Sequence, residues 1–530
     1  MGRRKERRTG TEHDPGRDSA DVRAQTPRAR VPLGFYLFAL STPLLLALLL
    51  EVGLRLGGYG GGHPLFLRDE TGLRYRTNPR AAAGYFTAKD AEVPTLYQQD
   101  FPVTKPSGTT RIFCLGASTT AGFPYQESPT FPFLIEQRLQ MMFPEHRFEV
   151  INLGVAAVMS RTVLDFGRSC LEHDPDLVVV YMGHNEFYGV LGAGSTMRLG
   201  SSRAAVRAVL VLRQLRIFQL GQRVLGAFTS RKAGSEPTGG AETLMETMAA
   251  NRTIPIDSKL FQSAQTTFEA NLADLVAAAT RRGVPVVLCT LVSNERSLPP
   301  FVSLDREGMR IDWNPDPVES APSPARTGDA SSRSQGRSDS DARVCDLVQR
   351  ATNEMDEGVW QNALRDLDAA QAIDSLPARI AYLRGRCEAE LGQNAEARRA
   401  FARARDLDGL RFRAPSSFNQ VIRSYRGRDH VEIADVEQAF RDASPIGSPG
   451  KELLLEHVHP NARGYALIAK TVVAQMAKTD LLDLDWSKAP TISDSLFWAR
   501  SAVTPLDERI GDFQVAVLKS RWPFTDGPTP

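Results

Sequence analysis

A serine early in the chain and a glutamate–histidine pair near its end could together cleave an ester. Ser118 directly follows the apolar run Arg111–Gly116. His459 is followed by a proline, and Glu456 precedes it by three residues. At this spacing a carboxylate can hold one ring nitrogen of the imidazole while the other nitrogen accepts a proton. Nucleophilic catalysis needs these three roles: a nucleophile, a base and a group that orients the base.

Two further apolar runs end in residues that could stabilise the negative charge created by such an attack. Phe148–Leu153 ends at Gly154, and Leu177–Met182 is followed closely by Asn185. If both runs are parallel strands, their carboxyl ends meet at one edge of the sheet. There the N–H groups of Ser118 and Gly154 and the amide of Asn185 would form an oxyanion hole. Each residue alone is also ordinary turn or cap material, and only their coincidence favours a site.

The elements that must position these residues alternate along the chain. Apolar residues follow helical spacing at Phe131–Phe143, Met159–Leu171, Thr267–Arg282 and Asn461–Met476, and strand-like runs occur at Val284–Thr290 and His430–Val436. Strands alternating with helices predict an α/β fold with a parallel sheet.

Four short blocks resemble, in the same order, those of the SGNH or GDSL-type hydrolases. They are Gly116-Ala-Ser118, Asn152-Leu-Gly154, Gly183-His-Asn185-Glu and Glu456-x-x-His459-Pro460. The resemblance covers about residues 110–290 and 412–476. It implies a flavodoxin-like three-layer α/β/α fold, an acyl-serine intermediate and an oxyanion hole from Ser118, Gly154 and Asn185.

The chain departs from the family pattern at several positions. Ala117 replaces the usual aspartate beside the serine, and Glu456 replaces the usual aspartate of the last block. His457 offers a second imidazole, but the following proline and the spacing from Glu456 select His459. His184 and Glu186, the other members of the third block, are candidates for substrate binding.

No cofactor or metal is expected. The five cysteines are widely spaced, with no Cys-x-x-Cys pair or Cys/His cluster that could bind zinc. The net charge of +2 gives no reason to expect a nucleic-acid partner.

Three functions remain open on the sequence. The first is hydrolysis of an acyl or acetyl ester. The second is O-acyl transfer to a sugar hydroxyl through the same Ser-His-Glu site, and the substrate could be a polysaccharide or a lipid. The third, of another class, is a non-catalytic envelope scaffold.

The amino-terminal part predicts a membrane anchor. Residues 1–30 are polar and basic, and we expect a disordered cytoplasmic tail. Val31–Leu50 contains no charged residue, and the span 31–56 is long enough to cross a bilayer. Arginines before the span favour a cytoplasmic amino terminus, which puts the catalytic domain outside, in the periplasm or the extracellular space if the chain is bacterial. A cleaved signal peptide is the rival interpretation, but no Ala-x-Ala site follows the run.

Two segments interrupt or precede the first part of the hydrolase domain, residues 110–300. Residues 57–109 show no strong period and predict a connector that could contain one strand. The insertion 187–255 is basic: from residue 187 to 235 there are eight cations and no acidic residue. An apolar helical stretch within it, Ala204–Phe228, could form a lid, lie on an anionic membrane surface, or simply pack on the core.

A repeat precedes the second part of the hydrolase domain, residues 411–480. Residues 301–343 predict a flexible linker. In 344–410, Gly358 and the apolar positions after it recur 34 residues later, starting at Gly392, and resemble tetratricopeptide repeats. Two copies are too few to stand alone, so we expect them to dock on the rest of the chain, either binding a protein partner or bracing the domain. The extension 481–530 suggests no function.

Overall fold

The computed structural model describes residues 33–86, 93–125, 128–196, 203–230, 244–249, 252–311 and 339–525. By its contacts the chain divides into two units, Met1–Gly60 and Gly61–Pro530. The predicted tail, residues 1–30, lies outside the described residues, as does 312–338 of the predicted linker.

The first unit is described as one long helix, α1 (Leu33–Leu56). Its stretch Gly34–Leu56 has a mean hydropathy of 2.1, and 6% of the most apolar window is buried. Its length and composition, which are weak evidence by themselves, are those of a helix that can cross a membrane. Pro43 lies inside this helix, and Glu51 pairs with Arg55 one turn later near its end.

The connector contains more structure than its sequence predicts. Strands β1 (Phe66–Arg68), β2 (Arg74–Thr77) and β3 (Asp100–Pro102) form an antiparallel sheet in the order β1-β2-β3. The sequence suggested one strand in this connector, and the structure has three. Strands of three or four residues are too short to establish an alternating pattern.

A five-stranded sheet is the centre of the second unit. Its strands are β4 (Thr109–Gly116), β5 (Arg147–Gly154), β6 (Leu177–Tyr181), β7 (Val286–Cys289) and β8 (Val431–Ala434). They run parallel in the order β5-β4-β6-β7-β8. Every residue of β4, β6 and β7 is buried, as expected for parallel strands covered on both faces. The predicted α/β class and all five strands are confirmed.

Helices connect these strands. The first group is α2 (Ser118–Ala121), α3 (Phe131–Met142), α4 (Ser160–Cys170), α5 (Arg203–Gln214), α6 (Arg216–Ser230), α7 (Leu244–Ala249) and α8 (Lys259–Thr280). The predicted helical stretch Ala204–Phe228 is thus two helices, separated at Leu215. Helix α8 begins eight residues before the predicted Thr267, where the Ser258 side chain accepts a hydrogen bond from the Phe261 N–H.

The second group contains the repeat and the last elements. It comprises α9 (Asp339–Asp356), α10 (Trp360–Ile373), α11 (Ala378–Glu390), α12 (Asn394–Leu407), α13 (Ser416–Arg423), α14 (Val436–Asp442), α15 (Ala462–Lys478), α16 (Asp494–Arg500) and α17 (Pro505–Lys519). Helix α3 packs against α15, and α4 packs against α8.

Helices α9–α12 form two consecutive hairpins with equivalent turns. Gly358 and Gly392 both adopt φ of 75°. This is the left-handed conformation in which glycine commonly ends a helix. The next residue of each turn donates its N–H to a glutamate carbonyl five residues earlier, at 2.8 Å in both copies. The 34-residue spacing read from the sequence therefore recurs in the backbone.

The predicted linker is wrong at both ends. Helix α9 starts at Asp339, inside the predicted 301–343 segment. At the other end, the N–H groups of Phe301 and Val302 each donate 3.0 Å bonds to the Asp408 carboxylate. Asp408, near the end of the repeat, thus fixes the start of a stretch whose composition alone suggested flexibility.

The hairpins dock on the α/β core through buried charges. Arg405 of α12 pairs with Glu295, which follows β7, and both side chains are 2% exposed. Arg441 of α14 also contacts Glu295, at 3.3 Å. Tyr382 of α11 donates a 3.0 Å hydrogen bond to the carbonyl of Arg296. The predicted docking of the repeat is confirmed.

Removing one charge of the buried pair should destabilise the fold. Glu295→Gln removes one of the carboxylates that contact the Arg405 guanidinium and leaves Asp406 at 3.0 Å and Glu437 at 3.9 Å. We expect the free energy of unfolding to fall by about 1–3 kcal/mol. Urea unfolding followed by tryptophan fluorescence measures this. Glu396→Gln is the matched control, because its pair with Arg399 is exposed. Equal losses in the two variants would contradict the role given to the buried pair.

Candidate active site

Ser118 is held at the end of β4 by a turn that only glycine permits. A Cβ on Gly116 would overlap the Thr120 side chain and the carbonyl oxygen of Tyr181. The chain therefore passes directly from β4 through Ala117 into α2, of which Ser118 is the first residue. Ser118 is partly exposed, whereas its neighbours Ala117 and Thr119 are buried. Its hydroxyl is thus accessible at the strand's carboxyl end.

The structure brings His459 to Ser118 across most of the chain. His459 Nε2 lies 2.8 Å from Ser118 Oγ. The loop that carries the histidine is closed by a 2.9 Å hydrogen bond from the Leu455 N–H to the His459 carbonyl. Immediately after it, Asn461 caps α15 by accepting from the Gly464 N–H. The ring of Phe123 packs on the imidazole, with centroids 4.7 Å apart.

Glu456 holds the other nitrogen of this imidazole. Its carboxylate contacts His459 Nδ1 and accepts the backbone N–H of the same histidine at 3.0 Å. It also accepts the backbone N–H of His457. Because the side chain folds back onto its own loop, the extra methylene relative to aspartate does not carry the carboxylate past the histidine. The glutamate is 1% exposed.

His457, the competing imidazole, lies on the far side of Glu456. Its Nδ1 faces the second oxygen of the carboxylate. Its ring packs among three aromatic rings, Phe301, Phe412 and Phe524, at centroid distances of 5.7 to 6.0 Å. The nitrogen that contacts Ser118 belongs to His459, so the geometry agrees with the choice made from the sequence.

Burial keeps the imidazole of His459 neutral at rest. It lowers the pKa of His459 below its ordinary value, because little water reaches the ring to stabilise its charged form. The carboxylate of Glu456 acts in the opposite direction when a proton arrives at Nε2. A neutral ring that gains a paired counter-charge on protonation is suited to act as a general base.

The candidate oxyanion donors meet at one edge, as predicted, but they are not equally free. In the sheet register, Gly116 lies opposite both Gly154 and Tyr181. Asn185 Nδ2 is buried and has no hydrogen-bond partner among the described residues. The N–H of Gly154, however, donates a 2.9 Å bond to Asn152 Oδ1.

Gly154 thus differs from the expectation. Its N–H is occupied by a side chain two residues earlier in the same strand. A Cβ at this position would also overlap the backbone of Ala121. The glycine is therefore required for the close approach of α2 to β5, whatever its N–H does. Asn152 was quoted within the sequence block, but nothing in the sequence indicated this bond.

The two substrate-binding candidates, Glu186 and His184, differ in whether their polar atoms are already hydrogen-bonded. Glu186 is 1% exposed, and its carboxylate accepts both the N–H and the hydroxyl of Ser160, each at 2.7 Å. Burial raises the pKa of this carboxyl to about 7. Its oxygens are committed to the start of α4, so Glu186 is a structural residue and the sequence-based assignment to substrate binding is not supported.

His184 is buried next to the site. Its Nδ1 accepts a 3.2 Å bond from the Ala414 N–H, so the proton is assigned to Nε2. Nε2 has no hydrogen-bond partner among the described residues. Burial lowers the pKa of His184 to about 3, which keeps the ring neutral. A neutral donor in this position remains compatible with substrate binding.

The carboxyl-terminal extension contributes residues that the sequence did not point to. Phe524 packs on Phe301 at 5.4 Å and on His457 at 5.7 Å, and Trp522 packs on Phe412 at 5.8 Å. These rings line the side of the site beyond His457. The only available signal was the presence of tryptophans in an otherwise featureless extension.

Glu456, His457 and His459 also place ligand atoms within 4.8 Å of one another, a spacing that a metal ion could use. The sequence predicted no such cluster, because no His/Cys spacing typical of zinc sites is present. In this arrangement His459 Nε2 already contacts Ser118, and Nδ1 faces the carboxylate. Both ring nitrogens therefore have the partners that a proton-transfer role requires.

No protein-family model matches this chain, and no curated protein matches it. The geometry of the site therefore carries the functional inference.

The structural role of Glu186 can be separated from a binding role. Glu186→Gln keeps an oxygen for the Ser160 N–H, and we expect the free energy of unfolding to change by less than about 1 kcal/mol. Glu186→Ala leaves that buried N–H unsatisfied and should cost about 1–3 kcal/mol. Urea unfolding measures both. Loss of Ser118 reactivity in a fully stable Glu186→Gln variant would instead indicate a role in the site.

Proposed function

We propose that this protein is a membrane-anchored serine ester hydrolase of the SGNH type. The observation that carries the proposal is the 2.8 Å contact between Ser118 Oγ and His459 Nε2, with Glu456 at the opposite ring nitrogen. A nucleophile, a base and an orienting carboxylate in this order form the catalytic set of serine hydrolases. The hydroxyl is accessible and the other two groups are buried, as such a set requires.

The strand order supports the finer description of the fold, a flavodoxin-like three-layer domain. Numbered within the sheet, the order β5-β4-β6-β7-β8 is 2-1-3-4-5, which is the flavodoxin order. Successive β4 side chains point to opposite faces. On one face, Leu115 and a residue of α8 both lie close to Gly167 of α4. On the other face, Glu136 of α3 lies near Cys114. Helices therefore lie on both sides of β4, as in a three-layer domain. Ligands of such sheets bind where the strand order reverses, here between β4 and β6, which carry Ser118 and Asn185 at their ends.

The first half of the proposed reaction acylates the serine. Ser118 Oγ attacks the ester carbonyl carbon as His459 Nε2 takes the hydroxyl proton. Glu456 stabilises the resulting imidazolium. As the tetrahedral intermediate collapses, the carbon–oxygen bond to the alcohol breaks and His459 returns the proton to the leaving oxygen. The acyl group is then an ester of Ser118.

The second half releases the acyl group. A water molecule, or a sugar hydroxyl in an acyltransferase, gives its proton to His459 Nε2 and attacks the acyl-serine carbonyl. Breaking the bond to Ser118 Oγ restores the serine as His459 returns the proton. The two reactions differ only in the acceptor.

Two donors are available for the negative charge of both intermediates. The N–H of Ser118 lies in the first turn of α2, where an N–H has no partner within the helix. The Asn185 amide nitrogen is buried and has no hydrogen-bond partner in the described part of the chain. Removing one such donor from an oxyanion hole typically costs about a hundredfold or more in rate. The N–H of Gly154 can join them only after it leaves Asn152.

The anchor and the hairpins suggest where the reaction takes place. With α1 in a membrane and the catalytic domain outside, acylated envelope polysaccharides and lipids are the natural substrates. The hairpins, if they are tetratricopeptide-like, offer a surface for a protein partner. A purely non-catalytic scaffold is disfavoured, because it would not need a buried carboxylate and an imidazole aligned on an accessible serine.

A fluorophosphonate probe tests the nucleophile. We expect the full chain in detergent to be labelled once and Ser118→Ala not at all, because the probe reacts only with an activated serine. Ser424→Ala, an exposed serine on the surface, is the matched control and should label like the parent chain. A folded parent chain that does not react would overturn the proposal.

The base assignment is tested in the same assay. His459→Ala should lower the labelling rate constant about a hundredfold or more. His457→Ala should have a smaller effect, since this ring contacts the carboxylate and not the serine. A larger loss in the His457 variant would reverse the assignment. Acyl donors supplied with and without oligosaccharides then separate hydrolysis from transfer.

The pH dependence of labelling tests Glu456. The reactive form has a neutral His459, and burial lowers the pKa of that ring, so the acid limb of the parent chain should lie below pH 6.5. Glu456→Gln removes the charge that favours the protonated ring. The pKa should fall further, moving the limb to lower pH, while the rate above it decreases. Glu456→Asp retains the charge, so its limb should stay near that of the parent chain; an upward shift in Glu456→Gln would contradict this role.

A further inference from the structure

Helices α5 and α6 present a surface that no other described part of the chain covers. No residue of α5 is fully buried. Val211 is 56% exposed, Leu212 45% and Val224 of α6 49%. Apolar side chains grouped at a protein surface commonly mark a contact with something else.

The charge of this segment is one-sided. From residue 187 to 235 the sequence contains eight cations and no acidic residue. Arg203 is bound to Asp274 of α8 at 2.7 Å, and Arg213 donates to the carbonyls of Gly84, Tyr85 and Phe86 at 3.0 to 3.3 Å. These bonds fix the helix pair beside the connector and the middle of α8. Arg207 and Arg223 are exposed alongside the apolar residues.

A pair of hydrogen bonds ties α6 to the start of the second unit. The Gly61 N–H donates to Gln219 Oε1, and Gln219 Nε2 donates to the Gly61 carbonyl, both at 3.1 Å. Gly61 follows Leu56, the last residue of α1, by only five residues. Five extended residues span at most about 18 Å. If α1 crosses a membrane, the chain therefore cannot carry Gln219 far from the membrane surface.

We propose that α5 and α6 lie on the surface of the membrane that α1 crosses and bind its anionic phospholipid headgroups. Val211, Leu212 and Val224 enter the interface, and Arg207 and Arg223 contact the phosphates. A basic helix with exposed apolar residues binds such surfaces by these two contributions together. This inference rests on the membrane anchoring in the proposed function. It favours the membrane-surface interpretation of the insertion over the lid.

The consequence concerns substrate access. A single helix followed by a short glycine-rich link would let the catalytic domain rotate freely above the bilayer. A second contact through α5 and α6 would fix one orientation. Ser118 would then meet substrates at a constant height and angle relative to the membrane.

Spin labelling of the full chain in lipid nanodiscs tests the contact. The label is placed by Val211→Cys in a Cys345→Ser background, since the other four cysteines are buried. We expect its accessibility to oxygen, relative to a water-soluble nickel complex, to be several-fold higher than that of a label at Arg399→Cys. That control site is exposed on α12. The difference should be present in discs of mixed phosphatidylcholine and phosphatidylglycerol.

The charge contribution is tested by paired variants in the same discs. Arg207→Gln with Arg223→Gln should lower the oxygen preference of the Val211 label toward that of the control site. Arg386→Gln with Arg399→Gln, exposed arginines on the hairpins, should leave it unchanged. Equal protection in pure phosphatidylcholine discs would overturn the anionic preference. A Val211 label as water-accessible as the Arg399 label in every disc would overturn the contact itself.

Two further readouts keep this inference separate from the proposed function. Co-elution of the chain with the discs reports whether α1 is embedded, and fluorophosphonate labelling of the same sample reports whether Ser118 is reactive. A chain that is embedded and reactive, with a water-exposed Val211 label, refutes only the surface contact. A chain that does not co-elute with the discs refutes the anchoring on which the contact depends.

Discussion

The crowding of three chain segments around Gly116 is the constraint on which the site depends. A side chain there would occupy the space of Thr120 and of the Tyr181 carbonyl. Gly154 lies equally close to the backbone of Ala121. With glycine at both positions, β4, β5 and β6 end at one level and α2 starts directly above them. Ser118 is placed among the donors by this packing, before any catalytic group contributes an interaction of its own.

The second requirement is a carboxylate held in a buried position beside the imidazole. A buried charge is costly unless it is paired and hydrogen-bonded. Glu456 meets this requirement locally, through backbone N–H groups of its own loop and the two flanking imidazoles. The same contacts fix the loop that carries His459. Orienting the base and stabilising the loop are therefore one set of interactions.

The parts of the fold that could be predicted are those in which the local pattern and the tertiary environment agree. Parallel strands buried on both faces produce continuous apolar runs, so β4 to β8 could be predicted. Ser118 and Gly154 lie at the ends of such runs. The connector strands were missed because short half-exposed strands leave no pattern. The position of Phe301 and Val302 is fixed by Asp408, more than ninety residues away in the chain. Trp522 and Phe524 likewise line the site through contacts with Phe412 and Phe301, which are distant in the chain and leave no pattern in the local sequence.

The site itself was predictable in its members and not in its detail. Side-chain type and block order selected Ser118, Glu456 and His459, but the bond from Gly154 to Asn152 and the use of Glu186 by Ser160 arise from competition among neighbours. A buried donor or acceptor takes whichever partner is available, since leaving it unpaired costs free energy. Residues rich in hydrogen-bonding capacity near a site are therefore the ones whose roles sequence patterns assign least securely.

The inserted hairpins contact the segment that supports the candidate site. The Glu295 carboxylate pairs with Arg405 of α12. The backbone N–H of Glu295 donates to the carbonyl of Pro449, in the segment that leads into the Glu456 loop. Its neighbour Asn294 donates to the carbonyl of His457. The residue that anchors the hairpins and the residue that supports the His457–His459 loop are thus adjacent in the chain. The contact of α12 with the core and the position of this loop therefore depend on the same short segment after β7.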